Sequence, residues 1–212
     1  MRLVLLADTH DQNLHTKFGT IPDGDVLIHA GDLVAIGRDP ERYKRMGNQL
    51  RRFPHRYKLV VPGNHDHLFL EDLEAAKAAL GTGISVLFDS SIEIEGKLFY
   101  GTPWLHWVEG KYTFETQDSE AKWEMIPENT DVLITHSPPY GIFDLSAKSG
   151  EHIGSVELRK HVLERVRPQV HVFGHNHMEW GQEEIEGVKF VNAAMVDDLY
   201  KPLRGATVID LE

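Results

Sequence analysis

The sequence predicts an α/β protein of four layers: two mixed β-sheets packed face to face, with helices on both outer sides, an αββα sandwich. Three observations predict it. Five short apolar runs, at residues 3–7, 25–30, 57–61, 131–135 and 170–173, read as strands buried on both faces. Helical patterns lie between them. Two further stretches, residues 92–101 and 184–192, alternate around Glu95-Gly96 and Glu186-Gly187 and read as hairpins, and residues 206–211 read as a closing strand.

Each helix carries its own start and stop signals. Residues 39–53 open on Asp39-Pro40, a cap followed by a first-turn proline. Residues 70–80 are alanine-rich and end at Gly81. Residues 154–166 begin with Ser155 and Glu157 and stop before Pro168. The longest irregular stretch, residues 102–117, carries Pro103 and the aromatic residues Trp104, His106, Trp107 and Tyr112, which suit lining a site or padding a core edge. No repeat, low-complexity tract or linker divides the chain, so residues 1–212 are expected to form one domain.

Composition narrows the function. The 22 basic and 33 acidic residues leave a net charge of -11, a field that repels polyanions. The densest basic cluster, Arg51, Arg52, Arg56 and Lys58, reads as a solvated face, so no extended nucleic-acid surface is expected. The 0 cysteines exclude thiolate chemistry and suit a reducing, cytoplasmic setting. The opening apolar run is too short for a secretion signal or a membrane span, and no membrane partner is expected.

Against this background one constellation stands out. In order along the chain come Asp8-x-His10, Gly31-Asp32, Gly63-Asn64-His65-Asp66, His136 and Gly174-His175-Asn176-His177, each just after a predicted strand. Strand ends gather distant residues at one sheet edge, where α/β proteins place their sites. Asp, Asn and His without sulfur suit a divalent ion such as Mn, Fe, Zn, Ni or Co. Asp8 and His10, two residues apart, can share an ion. Asp32 has two oxygens and can bridge two cations. Asn64 offers a neutral oxygen. His136, His175 and His177 supply nitrogens. Gly31, Gly63 and Gly174 let the backbone approach closely.

Singly, each block is a common turn or a buried histidine. Together and in this order they resemble the calcineurin-like metallophosphoesterases, whose pattern is D-x-H, G-D, G-N-H-[DE], H and G-H-x-H. The resemblance runs from Asp8 to His177 and is strongest to the small branch of brain-expressed metallophosphoesterase-domain proteins, on stretches such as Asp25-Val26-Leu27-Ile28-His29-Ala30-Gly31-Asp32 and Asp131-Val132-Leu133-Ile134-Thr135-His136-Ser137-Pro138-Pro139. It implies that one ion is held by Asp8, His10, Asp32 and His177, and a second by Asp32, Asn64, His136 and His175. It implies two divalent ions, manganese first, and hydrolysis of a phosphoester by a hydroxide held between them. His65 matches the family's non-ligand histidine, which assists the phosphoryl group or the leaving alkoxide. The branch implies a phosphodiesterase for small phosphodiesters such as cyclic nucleotides. A nucleotide-binding or scaffold module with little turnover, and a nuclease, are the alternatives.

The phosphoprotein phosphatases extend the second block to G-D-x-x-D-R-G, whereas here Ala35 and Ile36 replace the acid and the arginine. Protein phosphatase activity is therefore disfavoured, and the acid that orients the catalytic histidine is missing. Among the other residues, Asn64, His65, Asn176, His106 and His152 are candidate substrate contacts. Trp104, Trp107, Tyr140 and Phe143 are weighed as stacking partners for a base. His29 and His171 are read as strand residues that support the site or pack.

Overall fold

The computed structural model describes residues 1–106 and 110–212. Its first sheet holds β1 (Arg2–Leu6), β2 (Val26–Ala30), β3 (Tyr57–Val61), β4 (Ser85–Val86) and β13 (Thr207–Asp210), in the order β13-β1-β2-β3-β4. The second holds β5 (Ser90–Ile94), β6 (Lys97–Thr102), β9 (Val132–Thr135), β10 (Val170–Phe173), β11 (Gly181–Ile185) and β12 (Val188–Asn192), in the order β11-β12-β10-β9-β6-β5. Both are mixed. β1, β2 and β3 run parallel, as do β6, β9, β10 and β12, while β13, β11 and β5 close edges antiparallel.

Alternation along the strands explains the layers. Leu3, Leu5, Val26, Ile28, Leu59 and Val61 face the second sheet and meet Phe99, Val132, Ile134, Val170, Val172 and Val191. Their neighbours Val4, Leu6, Leu27 and Val60 face outward, onto Tyr43, Met46 and Leu50 of α1 (Pro40–Arg51) and Ala76 and Leu80 of α3 (Leu73–Leu80). On the far side Tyr100, Leu133, Phe173 and Phe190 meet Trp123 of α4 (Ser119–Glu124) and Leu158 of α5 (Val156–Lys160). Strands apolar on both faces are thus what a sheet buried between another sheet and a helix layer requires, and the αββα sandwich holds.

The helix caps act as read. Asp39 accepts from Glu41 N ahead of α1, and Ser155 accepts from Leu158 N ahead of α5. The 70–80 helix differs: it starts earlier as α2 (Leu68–Glu71) and breaks at Asp72, whose carboxylate caps α3 through Ala75 N. The 154–166 helix widens into a π-helix over His161–Val166 and ends at Arg167, φ 49°. Within residues 102–117, β7 (Leu105–His106) pairs with β8 (Glu115–Thr116); Trp107 lies outside the described residues. Among the described residues no helix is long and apolar enough to cross a membrane.

Candidate metal centre

The parallel strands β1, β2, β3, β9 and β10 all end at one edge, and each delivers one block of the pattern there. An isolated parallel bridge between Ala7 and Ala194 stitches the two sheets together at this edge. The turns are tight. Asp8, His10, Asp32 and His175 all have positive φ, at 56°, 44°, 56° and 68°. A side chain in this region costs roughly 1–2 kcal/mol, and such strain persists where the surroundings over-determine it, typically at functional sites.

The glycines show why the blocks carry them. A Cβ on Gly31 would fall 2.2 Å from His136 Nδ1, and one on Gly174 would fall 2.3 Å from Asp8 Oδ2. A Cβ on Gly63 would meet both Asp32 N and Asp32 Oδ1 at 2.3 Å. Each position is crowded by the site's own donors.

Two donor sets emerge. In the first, one ligand atom each from Asp8, His10, Asp32 and His177 lie within 4.8 Å of one another. His10 Nε2 stands 3.2 Å from His177 Nε2, and His177 Nε2 stands 3.4 Å from Asp8 Oδ1. In the second, Asn64 Oδ1 lies 3.0 Å from His136 Nε2 and 2.8 Å from His175 Nδ1. Asp32 joins the sets: Oδ2 is 3.7 Å from His10 Nε2 and Oδ1 is 3.5 Å from His136 Nε2. All seven residues singled out from the sequence therefore meet at one place.

The donor chemistry fits two cations. His136 Nδ1 donates to the Ala30 carbonyl at 2.9 Å, and His177 Nδ1 donates to the Asp197 carbonyl at 3.1 Å. Each ring thus turns its Nε2 to the cluster, the arrangement that orients metal-binding histidines. Charge points the same way. Burial pushes the Asp32 carboxyl up, yet the surrounding His136, His10 and His65 outweigh it and hold Asp32 well below the usual carboxylate range. Burial lowers His136, but the adjacent Asp32 and Asp8 raise it to about 9. Asp8 and Asp32 also raise His177, whereas burial lowers His10 and His175, the latter to about 3, and a neutral imidazole is the form that binds a metal.

The neighbouring residues hold the turns. Asp66, fully buried, accepts from Leu33 N and Val34 N at 3.1 Å and from Gly63 N at 2.9 Å, so it ties the Asp32 turn to the Asn64 turn. Two matched histidines stand behind the strand ends. His29 Nε2 bonds Thr9 Oγ1 at 2.8 Å, and His171 Nε2 bonds Thr135 Oγ1 at 2.9 Å. Each threonine passes its own proton to a backbone carbonyl, of Leu33 and Ser137 respectively, so both histidines are the donors.

His65 is oriented without the absent acid. Its Nδ1 donates to the Ala35 carbonyl, the backbone of the residue that replaces the acid, and its own N–H donates to Asp32 Oδ1 at 2.8 Å. Its Nε2 faces the cluster, 3.9 Å from Asp32 Oδ2.

A cavity of about 330 Å³ opens over the cluster, bordered by Asn64, His65, Asn176, Tyr112, Lys148 and Tyr200, with other residues. Asn176 Nδ2 is committed to the Phe143 and Leu145 carbonyls, both at 3.1 Å, and so sets the wall loop that follows. His106 and His152 do not border the cavity. His152 Nδ1 bonds the buried Asp144 at 2.6 Å, and His106 sits on β7. Of the aromatic residues weighed for stacking, the three described ones are also elsewhere: Trp104 donates to Asp89 and packs on Phe88 and Phe114, Tyr140 lies against His152, and Phe143 covers Gly181. Tyr112 and Tyr200 take the place over the site. In the sequence Tyr112 is one of several loop aromatics, and Tyr200 carries no signal.

Comparison with known proteins agrees with this geometry. The model of the "Calcineurin-like phosphoesterase" family matches residues 1–179. The human "Metallophosphoesterase domain-containing protein 1" is 36% identical over 236 aligned residues, 99% of this chain and 71% of that protein. The Caenorhabditis elegans "UPF0046 protein C25E10.12" is 35% identical, over 100% of this chain and 81% of that one. The match of the family model across the strand-end blocks, and the similarity of the relatives over the full chain, show that this protein belongs to the calcineurin-like phosphoesterases, metal-dependent hydrolases of phosphoric esters.

Proposed function

We propose that this phosphoesterase is a phosphodiesterase for small phosphodiesters, including 2′,3′- and 3′,5′-cyclic nucleotides, working with two divalent ions, manganese foremost. The division of the Asp32 oxygens between two donor sets supports the two ions of this reading. Asp8, His10, Asp32 and His177 would hold one ion; Asp32, Asn64, His136 and His175 the other. Bound there, the ions supply Lewis acidity toward phosphoryl oxygens and lower the pKa of a water molecule.

The chain's own groups do the rest. With Nδ1–H tied to the Ala35 carbonyl, His65 presents Nε2 to the cavity, where it holds a proton for the leaving alkoxide or bonds a phosphoryl oxygen. Asn64 turns its oxygen to His136 and His175, which leaves its Nδ2 to donate to the ester. The cavity of about 330 Å³ suits a ligand of mononucleotide size rather than a protein surface loop.

The test is a substrate panel run on metal-stripped protein refilled with Mn²⁺: bis-p-nitrophenyl phosphate, p-nitrophenyl phosphate, 2′,3′-cAMP and 3′,5′-cAMP. Diester hydrolysis is expected to exceed monoester hydrolysis and to vanish in Asn64→Ala and Asp32→Ala. Full activity in those variants refutes the assignment. Tight nucleoside monophosphate binding with two ions and no turnover supports a binding module instead.

A further inference from the structure

We propose that Tyr200 and Tyr112 are the specificity-determining residues of the metal pocket, gripping a planar, unsaturated group on the ester that stays with the phosphate. This rests on the phosphodiesterase reading and names the class of diester it prefers.

Tyr200 lies at the tip of the loop that follows β12. Its ring centroid is 4.6 Å from that of His10, 5.5 Å from that of His177 and 6.0 Å from that of His65, each an edge-to-face contact. Tyr112 makes the matching contact on the other donor set, 5.9 Å from His175 and nearly perpendicular to it. One tyrosine therefore stands over each half of the centre, and both border the same cavity.

The loop is built to hold Tyr200 there. Tyr200 has φ 58°, a backbone conformation that a bulky side chain rarely adopts. Asp197 enforces it: its Oδ1 accepts from Leu199 N at 2.9 Å and from Lys201 N at 2.8 Å, and its carbonyl accepts from Tyr200 N at 2.8 Å. Both ends of the loop are pinned to the ligand turns. His177 Nδ1 donates to the Asp197 carbonyl, and Gln12 Nε2 donates to the Tyr200 carbonyl at 3.2 Å. Strain fixed in this way marks a position kept for what its side chain does.

A purely structural ring would be covered. Tyr200 is instead 43% exposed and Tyr112 47% exposed. Two half-open aromatic rings beside a cavity floored by polar ligands suit a ligand that is anionic at one end and flat and apolar at the other.

The experiment compares p-nitrophenyl phenyl phosphate with p-nitrophenyl methyl phosphate on the Mn²⁺-loaded full chain. The leaving group is the same, so the ratio of their kcat/KM values isolates the retained group. The wild type is expected to favour the phenyl diester. Tyr200→Leu and Tyr112→Leu are each expected to lower that ratio about 3–10-fold, the size of an aromatic pair, chiefly through KM. Tyr200→Phe, which keeps the ring and is the fallback if a leucine variant misfolds, is expected to preserve the ratio. An unchanged ratio in the leucine variants overturns the proposal. If neither diester is cleaved, the phosphodiesterase reading fails separately, and calorimetric binding of diphenyl against dimethyl phosphate decides the proposal. The same fall in that preference supports it, and equal loss for both ligands overturns it.

Discussion

Gly31→Ala is the sharpest perturbation of this centre. Gly31 has φ 99°, where a Cβ costs roughly 1–2 kcal/mol in backbone strain alone. The added methyl would also fall 2.2 Å from His136 Nδ1 and 2.9 Å from Gly63 Cα. His136 is fully buried and cannot swing into solvent. Its ring must shift, breaking the bond to the Ala30 carbonyl, and a buried polar group left unpaired costs about 1–3 kcal/mol. Overpacking adds about 1–3 kcal/mol more. The expected total is about 3–8 kcal/mol, with loss of the ion held by His136. Gly83→Ala is the matched control: φ is 80°, yet nothing lies within 4 Å of the added Cβ, so only the backbone strain remains. Urea unfolding of both variants, with Mn²⁺ binding stoichiometry, reads the difference. Equal destabilisation of the two variants, with two ions still bound to Gly31→Ala, refutes the reasoning.

Other expectations follow from the supporting residues. Burial holds His171 neutral, with its pKa lowered to about 3 from an ordinary value near 6.5. The unfolded chain therefore takes up a proton as pH falls below about 6.5 while the folded protein does not. This histidine's share of stability is lost progressively down to about pH 3, by about 3 kcal/mol at pH 4.5. His171→Gln is expected to flatten the pH dependence of urea unfolding between pH 6.5 and 4; an unchanged slope contradicts it. Asp66→Ala strands three backbone N–H groups between two ligand turns and is expected to cost roughly 3–5 kcal/mol, read by the same unfolding assay. His65→Ala is expected to lower kcat roughly 10²–10⁴-fold while metal analysis still finds two ions.

The ligand set was legible in the sequence because strand-end geometry leaves few choices. An apolar run, a glycine and an Asp, Asn or His in sequence already imply a side chain aimed at a sheet edge. The strands were legible because burial between a sheet and a helix layer removes most polar residues from them, and the buried His29 and His171 that remain are paired with Thr9 and Thr135. What escaped depended on distant partners. The break at Asp72 comes from a carboxylate that caps α3, a local competition that the alanine-rich run hid. The support of His65 comes from a backbone carbonyl, which has no side-chain signature. Tyr200 reaches the cavity only because Asp197 bends its loop and Gln12 and His177 pin it. Nothing in its neighbours along the chain distinguishes it from a surface tyrosine.

The most direct test of a two-ion centre bridged by Asp32 is an Mn²⁺ titration of metal-stripped protein, followed by electron paramagnetic resonance. Two bound ions with a spin-coupled signal are expected in the wild type, with the coupling abolished in Asp32→Ala and a single ion remaining in Asn64→Ala. One ion in the wild type, or two uncoupled ions unaffected by Asp32→Ala, would contradict the account.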